Sequence, residues 1–219
     1  MSSLTTNQKR KFEEISSWED DALDLKHGLL RSIYAFGFEK PSPIQKKAIM
    51  PIVKTDCDII AQAQSGTGKT GAFTVSVLQK IDEKENKSMA LVLAPTHELA
   101  GQTKQVFDAL GKYLKIRTLL LVGGTSVEEN KKALLNEKEK PQVLIGTPGR
   151  IHDMLRRRYI KPGDLRMLVI DEADEMLSSG FKDQMYKIFQ YMPDNIQIGL
   201  FSATMPDELE ELKKQFLRH

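Results

Sequence analysis

Two short stretches gather the residue types that phosphate chemistry needs. The first runs Ala63, Gln64, Ser65, Gly66, Thr67, Gly68, Lys69, Thr70 and leads straight into GAFTVSVLQKI. Paired glycines let a backbone curl until successive N–H groups face one anion, and a helix start behind them adds partial positive charge. Lys69 brings a full charge for the β- and γ-phosphates of a nucleotide, and the Thr70 hydroxyl suits Mg2+. This is the phosphate-binding loop pattern, with Ala63 where glycine is usual. The second stretch is Asp171, Glu172, Ala173, Asp174, hung on the end of the apolar run MLVI. A nucleoside triphosphate arrives with Mg2+, and a neighbouring strand end must offer that metal a carboxylate. Asp171 is placed for the task, and Glu172 is placed to orient or deprotonate an attacking water. Acids in this position also cap helices, so the pair takes its meaning from the loop.

Four further strand ends carry polar turns. Ser202 and Thr204, in FSAT, are short hydroxyls able to hydrogen-bond Asp174, although Thr204 also suits the N-cap of a helix over MPDELEELKKQ. Pro95, Thr96 and His97 in APTHELA, Gly123 and Gly124 in VGGT, and Thr147, Pro148, Gly149 and Arg150 in GTPGR each combine Gly, Pro or Thr with a helix start. Such ends offer N–H groups and hydroxyls to phosphates other than the nucleotide's, and Arg150 adds charge. Three on one sheet edge point to a second polyanionic ligand, a nucleic acid. The run RRR at 156–158 reads as decoration of a solvated helix.

The elements that position these residues follow from the apolar rhythm. DIIAQ, MALVLAP, IRTLLLVGG, QVLIGTP, RMLVID and QIGLFSAT are short runs without polar alternation, separated by amphipathic stretches such as LAGQTKQVFDALGKYL and FKDQMYKIFQYM. Runs of that kind are buried on both faces, as parallel strands under helices are. The sequence predicts an α/β layer with a mostly parallel sheet and helices on both faces, whose ligands collect at the strand carboxyl ends. Upstream, residues 1–17 are polar and read as a mobile arm before a domain over 18–219. Leu25, Leu29 and Ile33 predict a helix over DALDLKHGLLRSIYAFG, and Pro41 and Pro43 hold EKPSPIQ extended.

Composition narrows the setting. The 219 residues carry a net charge of +2, so any basic binding surface is local. One cysteine, Cys57, excludes an internal disulfide and a cysteine-built zinc site, which suits a reducing compartment. No apolar run nears the roughly 20 residues of a membrane span, and MSSLTTNQKRKFEE lacks a signal segment. The expectation is a cytoplasmic or nuclear monomer with no membrane contact.

In chain order GFEKPSPIQ, AQSGTGKT, PTHELA, GG, TPGR, DEAD and SAT resemble the motifs of the amino-terminal RecA-like domain of a DEAD-box RNA helicase, from about residue 18 onward. DEADEMLSSGFKDQ is most similar to the translation initiation factor 4A group, with helicases of splicing and ribosome maturation close behind. The resemblance implies a RecA-like P-loop NTPase fold with ATP and Mg2+ as cofactors. It implies that Gln45 reads the adenine edge, that Phe38 shapes the adenine pocket, and that Asp174 with Ser202 and Thr204 couples hydrolysis to strand separation. The PTHELA, GG and TPGR turns would grip an RNA backbone with little sequence preference. A second RecA-like domain and a scaffold protein of the initiation complex are the implied partners. The chain ends at KKQFLRH before such a domain, so on its own it is expected to bind ATP or ADP weakly without unwinding or useful hydrolysis. His97 stands where the family usually has arginine; arginine stays charged throughout the physiological range and an ordinary histidine does not. One RNA-phosphate contact is therefore expected to be weaker, unless His97 is a solvated helix-start residue. Trp18, about two residues further upstream than the family's adenine-stacking aromatic, reads either as that aromatic or as a packing anchor. A small-molecule P-loop kinase or other NTPase would leave PTHELA, TPGR and SAT unexplained. Intact Lys69, Glu172 and Gln45 argue against a non-catalytic adaptor.

Overall fold

The computed structural model describes residues 14–218. The six apolar runs form β1 (Ile59–Gln62), β2 (Ala90–Leu93), β3 (Thr118–Leu121), β4 (Val143–Gly146), β5 (Met167–Ile170) and β6 (Gln197–Ser202). They pair in one sheet, ordered β1-β6-β5-β2-β4-β3, and every pairing is parallel. One face carries α1 (His27–Phe36), α2 (Pro43–Lys54), α3 (Lys69–Lys80) and α4 (His97–Leu110). The other carries α5 (Val127–Leu134), α6 (Pro148–Arg156), α7 (Ala173–Ser178), α8 (Lys182–Tyr191) and α9 (Asp207–Phe216).

The absence of polar alternation has its cause in these two layers. Along β2, Ala90 and Val92 enter the core under α1–α4, while Leu91 and Leu93 enter the core under α5–α9. Met167 and Val169 of β5 divide from Leu168 and Ile170 in the same way. Burial of each such Val or Leu stabilises the fold by about 1.5–3 kcal/mol. Phe73 of α3 lies between Phe107 of α4 and Phe201 of β6, with ring centroids 6.3 and 5.3 Å away. That cluster fixes the helix on which Lys69 sits. No helix among the described residues is long and apolar enough to cross a membrane.

The amino-terminal expectations need three corrections. Helix α1 starts at His27 and not near Asp21, because residues 20–24 form turns in which the Asp20 carboxylate accepts the Ala22 N–H at 3.0 Å. Pro43 opens α2 and does not prolong an extended segment: Ser42 and Gln45 form a reciprocal capping box, and proline at the first helical position needs no N–H partner. Ile15 falls within the expected arm yet is buried, and its N–H donates to the Lys46 carbonyl at 3.2 Å. Packing thus begins before Trp18; residues 1–13 of the expected arm lie outside the described residues.

Candidate nucleotide site and nucleic-acid cleft

Residues 63–68 join β1 to α3, and only β6 separates β1 from β5. The topology therefore brings the loop lysine to the acids. Lys69 Nζ lies 3.1 Å from Asp171 Oδ1 and 3.3 Å from Glu172 Oε1, with the Lys69 and Asp171 side chains buried. Ser65 Oγ donates to the same Glu172 oxygen at 3.1 Å. Burial pushes the Asp171 carboxyl above the usual carboxylate range, against the pull of Lys69. Its Oδ1 atom is buried with the Lys69 ammonium 3.1 Å away as its ion-pair partner and no further hydrogen bond. A buried carboxylate oxygen with lone pairs to spare is fit to receive a second cation. Among the described residues no cluster of three or more His, Cys, Asp or Glu could hold an ion outright. Mg2+ keeps several waters and takes one or two protein ligands; Thr70 and Asp171 are the residues that would supply them.

Glu172 adopts φ +53°, the left-handed region that a non-glycine residue enters at a cost of roughly 1–3 kcal/mol. It precedes α7, but its side chain makes no cap hydrogen bond. The capping explanation of the acidic pair is thereby excluded. Burial would raise its pKa, but hydrogen bonds with Glu175, Ser65 and Lys69 and the Lys69 charge outweigh burial and hold it below the usual range. A carboxylate so stabilised is better suited to orienting a water than to taking its proton.

Asp174 and the SAT turn are locked together. Thr204 Oγ1 and N donate to Asp174 Oδ2 at 2.7 and 3.1 Å, and the Asp174 N–H donates to Ser202 Oγ at 3.2 Å. Burial would raise the Asp174 pKa, and these hydrogen bonds lower it overall. Thr204 caps no helix, for α9 begins after Pro206.

Gln45 braces the loop. Its Oε1 accepts the Ser42 N–H at 2.8 Å and its Nε2 donates to the Gly68 carbonyl at 3.2 Å. Gly68, at φ +90°, has no room for a side chain: a Cβ there would lie 2.5 Å from Ser42 Oγ. Phe38 packs beside Gly71 in the first turn of α3. One donor and one acceptor of the Gln45 amide are used in this way, and the residue is 2% exposed. Trp18 is buried as well. It is 1% exposed, and its ring lies 6.4 Å from that of Phe38 in a stacked arrangement. No indole face is open to a base, so Trp18 is a packing anchor and the stacking role is corrected.

The three remaining turns converge on one open cleft, lined by Pro95, Thr96, His97, Gly123, Thr147, Gly149 and Arg150. Gly124 and Pro148 are not part of this lining; Pro148 is buried as the first residue of α6. Val127, Asp153 and Phe181 complete the wall. Sequence reasoning missed them because their place depends on strand order, and no periodic signal marks them. Arg150 is not a loose charge. Its Nη1 donates to Asn130 Oδ1 at 2.7 Å and to Thr125 Oγ1 at 3.2 Å, and its Nη2 donates to the Thr125 carbonyl at 2.9 Å.

A family model described as DEAD/DEAH box helicase matches residues 42–212. The ATP-dependent RNA helicase eIF4A of Pyricularia oryzae is 53% identical over 198 residues, which cover 90% of this chain and 49% of that protein. Its counterpart of the same name in Chaetomium globosum is 52% identical over 206 residues, 94% of this chain and 50% of its own length. Among solved structures, a DEAD box protein from the hyperthermophile Methanococcus jannaschii matches with a TM-score of 0.86 at 32% identity, covering 93% of this chain and 54% of that one. Dbp5 of S. cerevisiae bound to RNA and ADP BeF3 matches with a TM-score of 0.80 at 36% identity, covering 93% and 50%. The chain spans about half the length of the curated relatives it matches. With the family model running from the α2 cap through the glycine loop and the acidic pair to α9, the chain belongs to the DEAD/DEAH box helicase family.

Proposed function

We propose that the chain is the ATP-binding half of an ATP-dependent RNA helicase that couples ATP binding and hydrolysis to RNA binding and strand separation, in translation initiation. The observation that carries this reading is the buried meeting of Lys69, Asp171 and Glu172, in which Asp171 Oδ1 faces the Lys69 ammonium and makes no further hydrogen bond. The names of the relatives support the substrate, and the cleft beside the nucleotide site supplies a surface for the RNA backbone.

Each group has a role that follows from its surroundings. The N–H groups of residues 64–69 and the Lys69 ammonium hold the phosphates, and the buried pocket strengthens that attraction by excluding water. Thr70 and Asp171 would hold Mg2+, which when bound neutralises charge on the phosphate oxygens. Glu172, ionised and fixed by Ser65, orients the water. Asp174 holds the SAT turn against α7, so that movement at the acidic pair is felt at the end of β6. Turnover is assigned to this chain together with a second RecA-like domain, in keeping with the doubled length of the relatives. The chain alone binds ATP or ADP without useful hydrolysis.

Calorimetric titration tests this. Mg-ADP and Mg-ATP should bind the chain, Lys69→Ala should weaken both by at least about tenfold through loss of a charge-assisted contact, and Thr70→Ala should reduce mainly the Mg2+-dependent part. Equal nucleotide affinity in Lys69→Ala and the parent would overturn the proposal.

A further inference from the structure

Arg150 is fixed at the cleft by hydrogen bonds alone. Asn130 Oδ1, Thr125 Oγ1 and the Thr125 carbonyl are its acceptors, and all three are uncharged. It takes part in no ion pair among the described residues. The acid that shares the cleft, Asp153, is occupied elsewhere: Arg156 Nη2 lies 2.7 Å from its Oδ1, and Arg157 Nε lies 3.0 Å from its Oδ2. Arg156, Arg157 and Arg158 are exposed, as decoration of a solvated helix end should be, and the first two pair with Asp153 and offset its charge. Asn130 itself is buried on α5, so its amide is set by the fold and aims the guanidinium. Three of the five guanidinium N–H groups are engaged; two remain.

We propose that Asn130 is a positioning residue for nucleic-acid binding: it fixes Arg150 at the cleft without cancelling its charge, which leaves the phosphate of an RNA strand as the counter-ion. The inference rests on reading the cleft as the RNA surface. A carboxylate at 130 would hold the arginine more tightly, through a charge-assisted bond, while consuming the charge. A neutral amide gives aim without neutralisation. Structural and electrostatic roles therefore predict opposite outcomes for the same substitution.

The test is a titration of the chain with a labelled oligouridylate at several salt concentrations, beside thermal melts. Asn130→Asp is expected to melt at or above the parent temperature while binding the oligouridylate roughly fivefold more weakly, with a salt slope shallower by about 0.7, the share of one phosphate contact on a single strand. Combining Asn130→Asp with Arg150→Ala should bind no more weakly than Arg150→Ala alone, since both act through one guanidinium. If Arg150→Ala weakens binding and Asn130→Asp does not, the role of Asn130 is overturned and the cleft stands. If Asn130→Asp melts lower, by as much as Asn130→Ala does, the residue is merely structural and the proposal is likewise overturned. If Arg150→Ala leaves the affinity unchanged, or the parent chain does not bind, the cleft itself is wrongly read.

Discussion

Asp171 holds its carboxylate out of water against Lys69, and burial still raises its pKa. The consequence for stability follows from proton linkage. A folded-state pKa above the unfolded value means that folded Asp171 binds its proton more tightly. Its favourable contribution is complete below the ordinary carboxylate range near about 4 and is lost as pH rises through the raised value. At neutral pH the ionised group costs the ligand-free fold stability. Asp171→Asn, which mimics the protonated form, should therefore melt higher than the parent at pH 7, by about 2–4 °C for each kcal/mol relieved. The gap should narrow as pH falls through the raised value, where the parent becomes protonated too. Melts across that range in the absence of nucleotide check the sign; a gap that widens on acidification would refute it. The same substitution should weaken Mg-nucleotide binding, because the side chain at 171 would no longer carry charge. Identity and spacing were enough to single out Asp171, Lys69 and the SAT hydroxyls, which the structure brings to neighbouring strand ends. The Trp18 and Asn130 roles were not legible, since burial and an amide's aim depend on neighbours far along the chain.

Strands were the most readable elements. Each of the six apolar runs contains one, and the excess at the run ends is where the functional turns begin. Their order was not readable, because parallel neighbours share no local signal. Two glycines show how much the order decides. Gly146 ends β4 against β3, and a Cβ there would collide with the Leu121 carbonyl. Gly199 lies in β6 beside a small interior void lined by Phe73, Ser76, Val169 and Phe201, and a Cβ there would sit 3.5 Å from the Phe201 ring, an ordinary contact. The sequence shows one glycine in each of two apolar runs; the packing gives them opposite tolerances. Gly199→Ala should stabilise by about 0.4–1 kcal/mol, through fewer unfolded conformations and a better-filled void. Gly146→Ala should destabilise by about 1–3 kcal/mol and disturb the turns that follow β3 and β4. Chemical denaturation of both variants is the check, and a loss of stability in Gly199→Ala would show that the void is not available.

On the scale of the whole molecule, strand order divides one sheet edge into two territories. Strands β1, β6 and β5 are contiguous and end in the glycine loop, the SAT turn and the acidic pair. Strands β2, β4 and β3 are also contiguous and end in the three turns of the cleft. On the proposed reading, the nucleotide site and the nucleic-acid cleft lie on adjoining halves, with no side chain shared between the residues assigned to each. Sites without shared partners act additively, within a few tenths of a kcal/mol, unless some element with two arrangements is biased by both. Strands β5 and β2, which meet between the two halves, are buried along their whole length. The proposed coupling of ATP to RNA is therefore assigned to a second RecA-like domain that spans both halves. The chain alone should show none: its affinity for a labelled oligouridylate should agree within about twofold with and without saturating Mg-ADP. Lys69→Ala should weaken nucleotide binding by at least about tenfold and spare the oligouridylate, while Arg150→Ala should weaken the oligouridylate and spare the nucleotide. A nucleotide-dependent change of tenfold or more in the isolated chain would place the coupling device inside this domain.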